Sequence, residues 1–337
     1  MIFFVFNQTA LAETSSNLIS LIGIFQPIDV AADSGHLFVL HRTCSPPGNY
    51  LYSQGMAGTF YCPGFTAIYC NSINFQSEIL SINNSGSTNI IASIPSPFGC
   101  GQKDHIAISS GLGGFPKGYL FISQGTWGRV NIWKLSYNGN SISLFNSSIP
   151  PLGSDVDITF DTTGTFGYDM IVTGGTQVWK IDSSGKASQI AVVPIRVHKG
   201  GSFGGAMVAS PSFGRYGGYI LVPDQGTGNI FTISPQNEVN KIGSWPGASE
   251  ILFIPQKICT FGKHDTMFLS SHATDTGGSI VMYPKTYFEN LYGSALITNQ
   301  YNPSIALMTP NTDGLVIKQF QSNINTQFLE GSTFVSC

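Results

Sequence analysis

At 337 residues the chain is long enough to bury a large core, and its 15 Lys and Arg against 18 Asp and Glu give a formal net charge of -3. Charged residues make up only 10%, against about a quarter in an average soluble domain, and so few scattered cations build no basic patch, which excludes nucleic acid and anionic membrane as general partners. The 39 Gly and 18 Pro, with many Ser, Thr and Asn, predict short strands joined by polar turns and contradict long helices.

The chain opens MIFFVFNQTALAET. Met1 to Phe6 are apolar and Ala10-Leu11-Ala12 has the small-x-small form of a signal-peptidase site, so residues 1–12 read as the remnant of a signal peptide and the protein as secreted, extracellular or periplasmic. A terminal strand is the other reading of the same run. No later segment approaches the roughly 20 uninterrupted apolar residues that span a bilayer, so no integral membrane segment is expected. Residues 13–337 are then a single domain.

Six cysteines, Cys44, Cys62, Cys70, Cys100, Cys259 and Cys337, contain no CxxC pair. In an exported chain they predict disulfides: two within the first hundred residues and a third, Cys259 to Cys337, anchoring the C-terminus. Buried thiols in a cytosolic protein are the alternative. Glycosylation triplets start at Asn7, Asn83 and Asn146. Residues 43–70, RTCSPPGNYLYSQGMAGTFYCPGFTAIY, read as a long loop stapled into a cap over one face.

Repetition organises the rest. First strands of six successive units read DVAA at Asp29, HIAI at His105, DITF at Asp157, AMVA at Ala206, EILF at Glu250 and SIAL at Ser304. Second strands read HLFVLH, GYLFIS, YDMIVT, GYILVP, DTMFLS and DGLVIK, and third strands follow Gly-rich turns, as in TQVWKID and GNIFTIS. Four short strands per unit of about 45 to 75 residues predict an all-β, six-bladed β-propeller with four-stranded antiparallel blades. NLISLIG (17–23) would close the last blade as its outer strand. A pair of β-sandwiches and a seven-bladed ring are the competing architectures.

In a propeller the inner strand of each blade lines the axis. Asp29, His105, Asp157, Ala206, Glu250 and Ser304 therefore form one expected ring, and His41, Gln124, Thr173, Asp224, His272 and Lys318 a second at the ends of second strands. Converging carboxylates repel unless a cation, a histidinium or water offsets them. Calcium would use Asp29, Asp157 and Glu250 as oxygen ligands, whereas zinc suits an approach by His105 and His272; either His would otherwise transfer protons as a catalytic group. The bland alternative is a water-filled polar channel in which Asp29 and Asp157, and above all Asp104, Asp155 and Asp224, satisfy backbone amides at turns. No GxxxxGK[ST] loop and no GxSxG elbow is present. His198-Lys199 reads as an exposed pair, and the four Trp as packing between blades.

On DITFDTTGTFGYDMIVT, ASPSFGRYGGYILVPD and the other strand and turn periods, residues 25 to 320 resemble the broad six-bladed group that includes NHL-repeat proteins and gluconolactonase or senescence-marker-like metal-dependent hydrolases. That resemblance implies an axial calcium or zinc held by Asp29, Asp157 and Glu250, with His105 or His272 as a ligand or proton-transfer group. Ala206 and Ser304 depart from a full ligand set. Two functions follow as expectations. One is a secreted binding or structural module that meets an extracellular protein or small polar ligand through its rim and the 43–70 cap. The other is a metal-dependent hydrolase or lyase with an axial site for a small polar substrate.

Overall fold

The computed structural model describes residues 19–21, 27–33, 35–44, 51–52, 59–61, 68–69, 75–96, 104–125, 129–146, 148–152, 155–194, 204–262, 265–273, 277–300, 302, 303–312, 314–321, 324 and 328–335. Six four-stranded antiparallel sheets form the blades of a propeller. Blade 1 runs outward through Pro27–Ala32, His36–Cys44, Phe75–Asn83 and Thr88–Ser96. Blade 2 comprises Asp104–Ile108, Leu120–Gly125, Val130–Leu135 and Ile142–Asn146; blade 3 comprises Val156–Phe160, Met170–Gly174, Gln177–Ile181 and Ala187–Val192. Blade 4 starts with the short inner strand Met207–Val208 and continues through Ile220–Pro223, Asn229–Ile233 and Val239–Ser244.

The last two blades interleave. Blade 5 begins with Ala248–Phe253, but its other strands are Ala295–Asn299, Ser304–Asn311 and Gly314–Gln321. The intervening strands Asp265–Ala273 and Gly277–Pro284 belong to blade 6, whose inner strand is Phe328–Phe334 and whose outer strand is Ile19–Leu21. The expected order is corrected accordingly: DTMFLS is a second strand of blade 6, DGLVIK is the outer strand of blade 5, and Ser304 lies on a third strand rather than on the axis. The N-terminal strand closes the last blade as the sequence suggests, with Ile19 opposite Met282 and Leu21 opposite Ile280. This closure removes the free edge that an unfinished ring would expose.

The inner strands pack in a closed circuit, from Pro27–Ala32 through each blade in turn to Phe328–Phe334 and back. The alternation that drives this is clear in Val156–Phe160, where Val156, Ile158 and Phe160 are buried while Asp157 and Thr159 project to the other face; successive strand residues point to opposite sides. Apolar faces of adjacent blades meet in continuous clusters. Between blades 2 and 3, Phe115, Phe121, Phe145 and Phe160 interlock edge to face or tilted at centroid distances from 5.0 to 6.0 Å, the arrangement that the ring quadrupoles favour.

Within 43–70 a small three-stranded sheet joins Leu51–Tyr52, Thr59–Tyr61 and Ile68–Tyr69, so this segment is not plain loop. Of the six cysteines in the expected disulfide framework, five have side chains outside the described residues. Cys259 is the one cysteine whose side chain is described, and it is disulfide-bonded. Asn146, expected as a glycan acceptor, is buried, and its amide donates to Gly185 O at 2.6 Å. Residues 1–12, Asn7, Trp127 and the His198-Lys199 pair lie outside the described residues. No helix among the described residues is long and apolar enough to cross a membrane.

Candidate functional site

Four of the residues read from the sequence as a ring meet near the axis. His105, on the inner strand of blade 2, places Nδ1 3.4 Å from Asp29 Oδ2 of blade 1 and 3.4 Å from Asp157 Oδ2 of blade 3. Its Nε2 lies 3.0 Å from Asp155 Oδ1. One imidazole thus faces carboxyl groups from two other blades on both ring nitrogens. Glu250, on the inner strand of blade 5, completes the group from the far side: a Cβ built on Gly205 would lie 2.6 Å from Glu250 Cγ and 2.9 Å from Asp157 Oδ2. The Glu250 and Asp157 side chains therefore converge at Gly205.

Each member is held differently. Asp29 accepts backbone N–H groups at both oxygens, from Val30 and from Ile106 of the next blade, each at 2.8 Å. Glu250 accepts from Ser332 N at 3.2 Å and Ser332 Oγ at 2.7 Å, again across to the next blade. Asp157 accepts from its own neighbour Ile158, and among the described residues it receives no backbone hydrogen bond from blade 4. The reason is local: blade 4 has a two-residue inner strand, and Gly205 beside it bridges in parallel to Glu250 instead.

Two glycines make the convergence sterically feasible. At Gly205 any side chain would press on both acids. At Gly331, on the inner strand of blade 6, a Cβ would overlap the Asp29 carboxyl group. Gly in a strand interior weakens it and marks a close approach of this kind.

The electrostatics are those of a crowded acidic site around one base. Burial works against a charged His105, but the attraction of Asp157 and the hydrogen bonds to Asp155 and Asp29 outweigh it and hold the imidazole well above its usual 6.5. Burial, reinforced by the negative fields of Asp29 and Asp155, pushes Asp157 up to about 7 despite the pull of His105. Burial also drives Glu250 well above the usual carboxyl range; Asp29 and Asp157 add to the shift and the Ser332 bonds oppose it. The shifts of His105 and Glu250 both favour their protonated forms, and Asp157 titrates at about 7. The side chains keep a narrow opening to solvent, with 12% exposure at His105, 12% at Asp157 and 16% at Asp155.

Other expected members lie elsewhere. His272 sits on Asp265–Ala273 opposite Phe328 and Gly278, and its side chain lies outside the described residues. Ala206 contributes no polar group, and Lys318 is on the outer strand of blade 5. Asp224 is a turn acid, accepting from Gly226 N at 3.1 Å and from Thr227 Oγ1. Asp104 is not one: it is buried on a strand, accepting from Ser77 Oγ and from Gln124 Nε2 at 3.5 Å. Sequence reasoning passed over Gly205, Gly331 and Ser332 and favoured a turn role for Asp155. Asp155 was legible only as an acid preceding a strand, whereas its carboxyl group meets His105.

Among the described residues no group of three or more His, Cys, Asp or Glu side chains is arranged to hold a metal ion. The local reason is visible in the bonding. Both Asp29 oxygens serve backbone amides, both Glu250 oxygens serve Ser332, and the imidazole itself lies between the acids.

No protein-family model matches the chain. No curated protein sequence matches it. Solved structures give distant likenesses. Virginiamycin B lyase from Staphylococcus aureus is 14% identical, with 95% of each chain covered and a TM-score of 0.49. A putative 6-phosphogluconolactonase from Bacteroides fragilis is 12% identical over 92% of this chain and 87% of that one, with a TM-score of 0.47. The α-L-arabinofuranosidase from Fusarium graminearum is 12% identical over 80% of this chain and 98% of that one, with a TM-score of 0.39. Likenesses this remote assign no chemistry to the chain.

Proposed function

We propose that the axial cluster is the acid–base centre of a hydrolase or lyase acting on a small polar substrate. The observation that carries this reading is His105, held at both ring nitrogens by carboxyl groups from blades 1 and 3. Burying one imidazole and several acids together opposes stability unless the arrangement serves a purpose, and perturbed groups in a cleft are where proton-transfer chemistry is found. Asp157, unclaimed by blade 4 and titrating near neutrality, is the base. It takes a proton either from water attacking a carbonyl or from the carbon next to one. Protonated His105, fixed by Asp29 and Asp155, donates its proton to the leaving oxygen as the bond to that oxygen breaks. One proton enters the site and one leaves, so the net charge is unchanged across the step.

Calcium or zinc, the cofactor that a ring of acids suggests, finds no ready cage here. Calcium would require Asp29 to release its backbone amides and Glu250 to leave Ser332, and zinc at His105 would also require the imidazole to give up its proton. The steps above therefore use only side chains.

The test is proton release in a pH-stat, using small lactones and esters with a leaving group β to an acidic carbon. Wild-type protein turning over one of these, with Asp157→Asn reducing the rate about 10²- to 10⁴-fold at unchanged circular dichroism, supports the reading. Full activity in Asp157→Asn, or no turnover by wild type of any member of either class, refutes it and favours a binding propeller that works through its rim and the 43–70 segment.

A further inference from the structure

The imidazole of His105 meets its acids unequally at its two nitrogens. Asp155 Oδ1 lies 3.0 Å from Nε2, inside the range of roughly 2.7–3.2 Å usual for an N–H···O hydrogen bond. Asp29 Oδ2 and Asp157 Oδ2 each stand 3.4 Å from Nδ1, beyond that range. Asp29 is also committed elsewhere, since its two oxygens accept the Val30 and Ile106 amides at 2.8 Å. One nitrogen is thus tied to a single carboxyl group, and the other faces the proposed base, Asp157, at a looser distance.

Other contacts aim Asp155 at Nε2. Ser123 is the cross-strand partner of His105 in blade 2, and its hydroxyl donates at 2.5 Å to the carbonyl oxygen of Val156, the residue that follows Asp155. The sheet that holds the imidazole is therefore bonded directly to the residue beside the acid. On the other side the segment packs against Gly174, on the second strand of blade 3, where a Cβ would come within 2.6 Å of Leu152 Cβ and 3.3 Å of Asp155 O. Leu152 and Val156, on either side of the acid in the chain, are both buried. Asp155 precedes a strand as a turn acid does, but this packing fixes its carboxyl group against the ring.

Which nitrogen of an imidazole holds its proton is set by the hydrogen bonds the ring makes. A carboxylate only accepts, so the nitrogen bonded to Asp155 keeps its proton, and Nδ1 is the one that gives a proton up and takes it back.

We propose that Asp155 is the positioning residue that holds a proton on His105 Nε2 and makes Nδ1 the working nitrogen. This rests on the acid–base reading above and assigns the proton transfers within it. As the bond to the leaving oxygen breaks, the Nδ1–H bond breaks and an O–H bond forms on that oxygen, while Asp157 gains the proton taken from water or carbon. The ring is then neutral, with its proton on Nε2. Next the O–H bond on Asp157 breaks and Nδ1–H forms again, which restores imidazolium and carboxylate with no proton drawn from solvent. The 3.4 Å between these two groups is of the kind that tightens when substrate is bound. Asp155 keeps its charge throughout.

The exchange of each His105 ring proton with water, followed by NMR at pH 7.5 in full-length protein labelled with ¹⁵N at histidine, tests this without substrate. Nε2–H should exchange more slowly than any proton on Nδ1. Asp155→Asn, whose amide donates where the carboxylate only accepts, should speed Nε2–H exchange at least about tenfold, and Asp155→Glu should restore much of the protection. Where Asp155→Asn is misfolded by circular dichroism, Ser123→Ala replaces it, since it keeps the acid and removes the bond that aligns it; faster Nε2–H exchange is again expected. Slower exchange at Nδ1, equal exchange at both nitrogens, or Nε2–H exchange unchanged in the folded variant overturns the assignment. In the pH-stat, Asp155→Asn should lower kcat about 10²-fold or more at unchanged KM, and an unchanged kcat overturns it as well. Failure of the exchange order with wild-type turnover intact removes only the role of Asp155, whereas an intact exchange order with no turnover removes the acid–base reading itself.

Discussion

Replacing Asp157 with Asn should stabilise the protein at alkaline pH. In the folded chain Asp157 is raised from 3.8 to about 7, so between those values the native state binds a proton that the unfolded state does not. Stability then falls as pH rises through this window. The same sign holds for His105, whose folded pKa is raised: the stability it lends is fully present below about 6.5 and is lost as pH rises through its folded value. For Asp157 alone, a shift of roughly three units at 1.36 kcal/mol each gives about 4 kcal/mol as an upper bound, and sharing of protons with Glu250 and His105 brings the expected gain to about 1–3 kcal/mol. Urea unfolding followed by Trp fluorescence at pH 4, 6 and 8 measures it. Wild type should lose stability from pH 4 to 8, and Asp157→Asn should flatten that slope and exceed wild type at pH 8. A variant no more stable than wild type at pH 8, with wild type gaining stability through the same range, would refute the electrostatic account of the cluster.

Two further substitutions probe the packing behind the site. Gly331→Ala drives a methyl group into the Asp29 carboxyl and displaces it from the Val30 and Ile106 amides; a loss of about 2–4 kcal/mol is expected as a lower urea midpoint. Phe121→Ala empties the centre of the aromatic cluster between blades 2 and 3, where Phe121 is fully buried, and should cost about 3–5 kcal/mol. Ile142→Ala on an exposed outer strand should stay within about 0.5 kcal/mol in the same thermal or urea series.

The parts of this fold that repeat locally were legible in the sequence. Period-two alternation in VDITF and HIAI, with Gly-rich turns between strands, announces blades, and the first polar residue of several inner strands names Asp29, His105, Asp157 and Glu250. What could not be read is pairing over long sequence distances. Consecutive repeats suggest consecutive blades, so nothing in DTMFLS reveals that it crosses to blade 6, nor in FLEGSTF that it returns to the axis. Ser332 and Gly331 were invisible for that reason. Asp155 shares the sequence context of a turn acid such as Asp161, which accepts from Thr163, Gly164, Phe166 and Tyr168 amides. Only the position of His105 in another blade separates their roles. Gly205 was hidden within GGSFGG, where its neighbours suggest a loop and its own close approach to two acids leaves no sequence mark.

The protonation state of His105 tests the central claim most directly. In protein labelled with ¹⁵N at histidine, its ring signals are identified by their loss in His105→Gln and followed from pH 5 to 9. Ring nitrogens that both remain protonated at pH 7.5 would match an imidazolium clasped between acids of two other blades. A neutral ring by pH 6.5, titrating as an isolated histidine does, would contradict the axial acid–base centre.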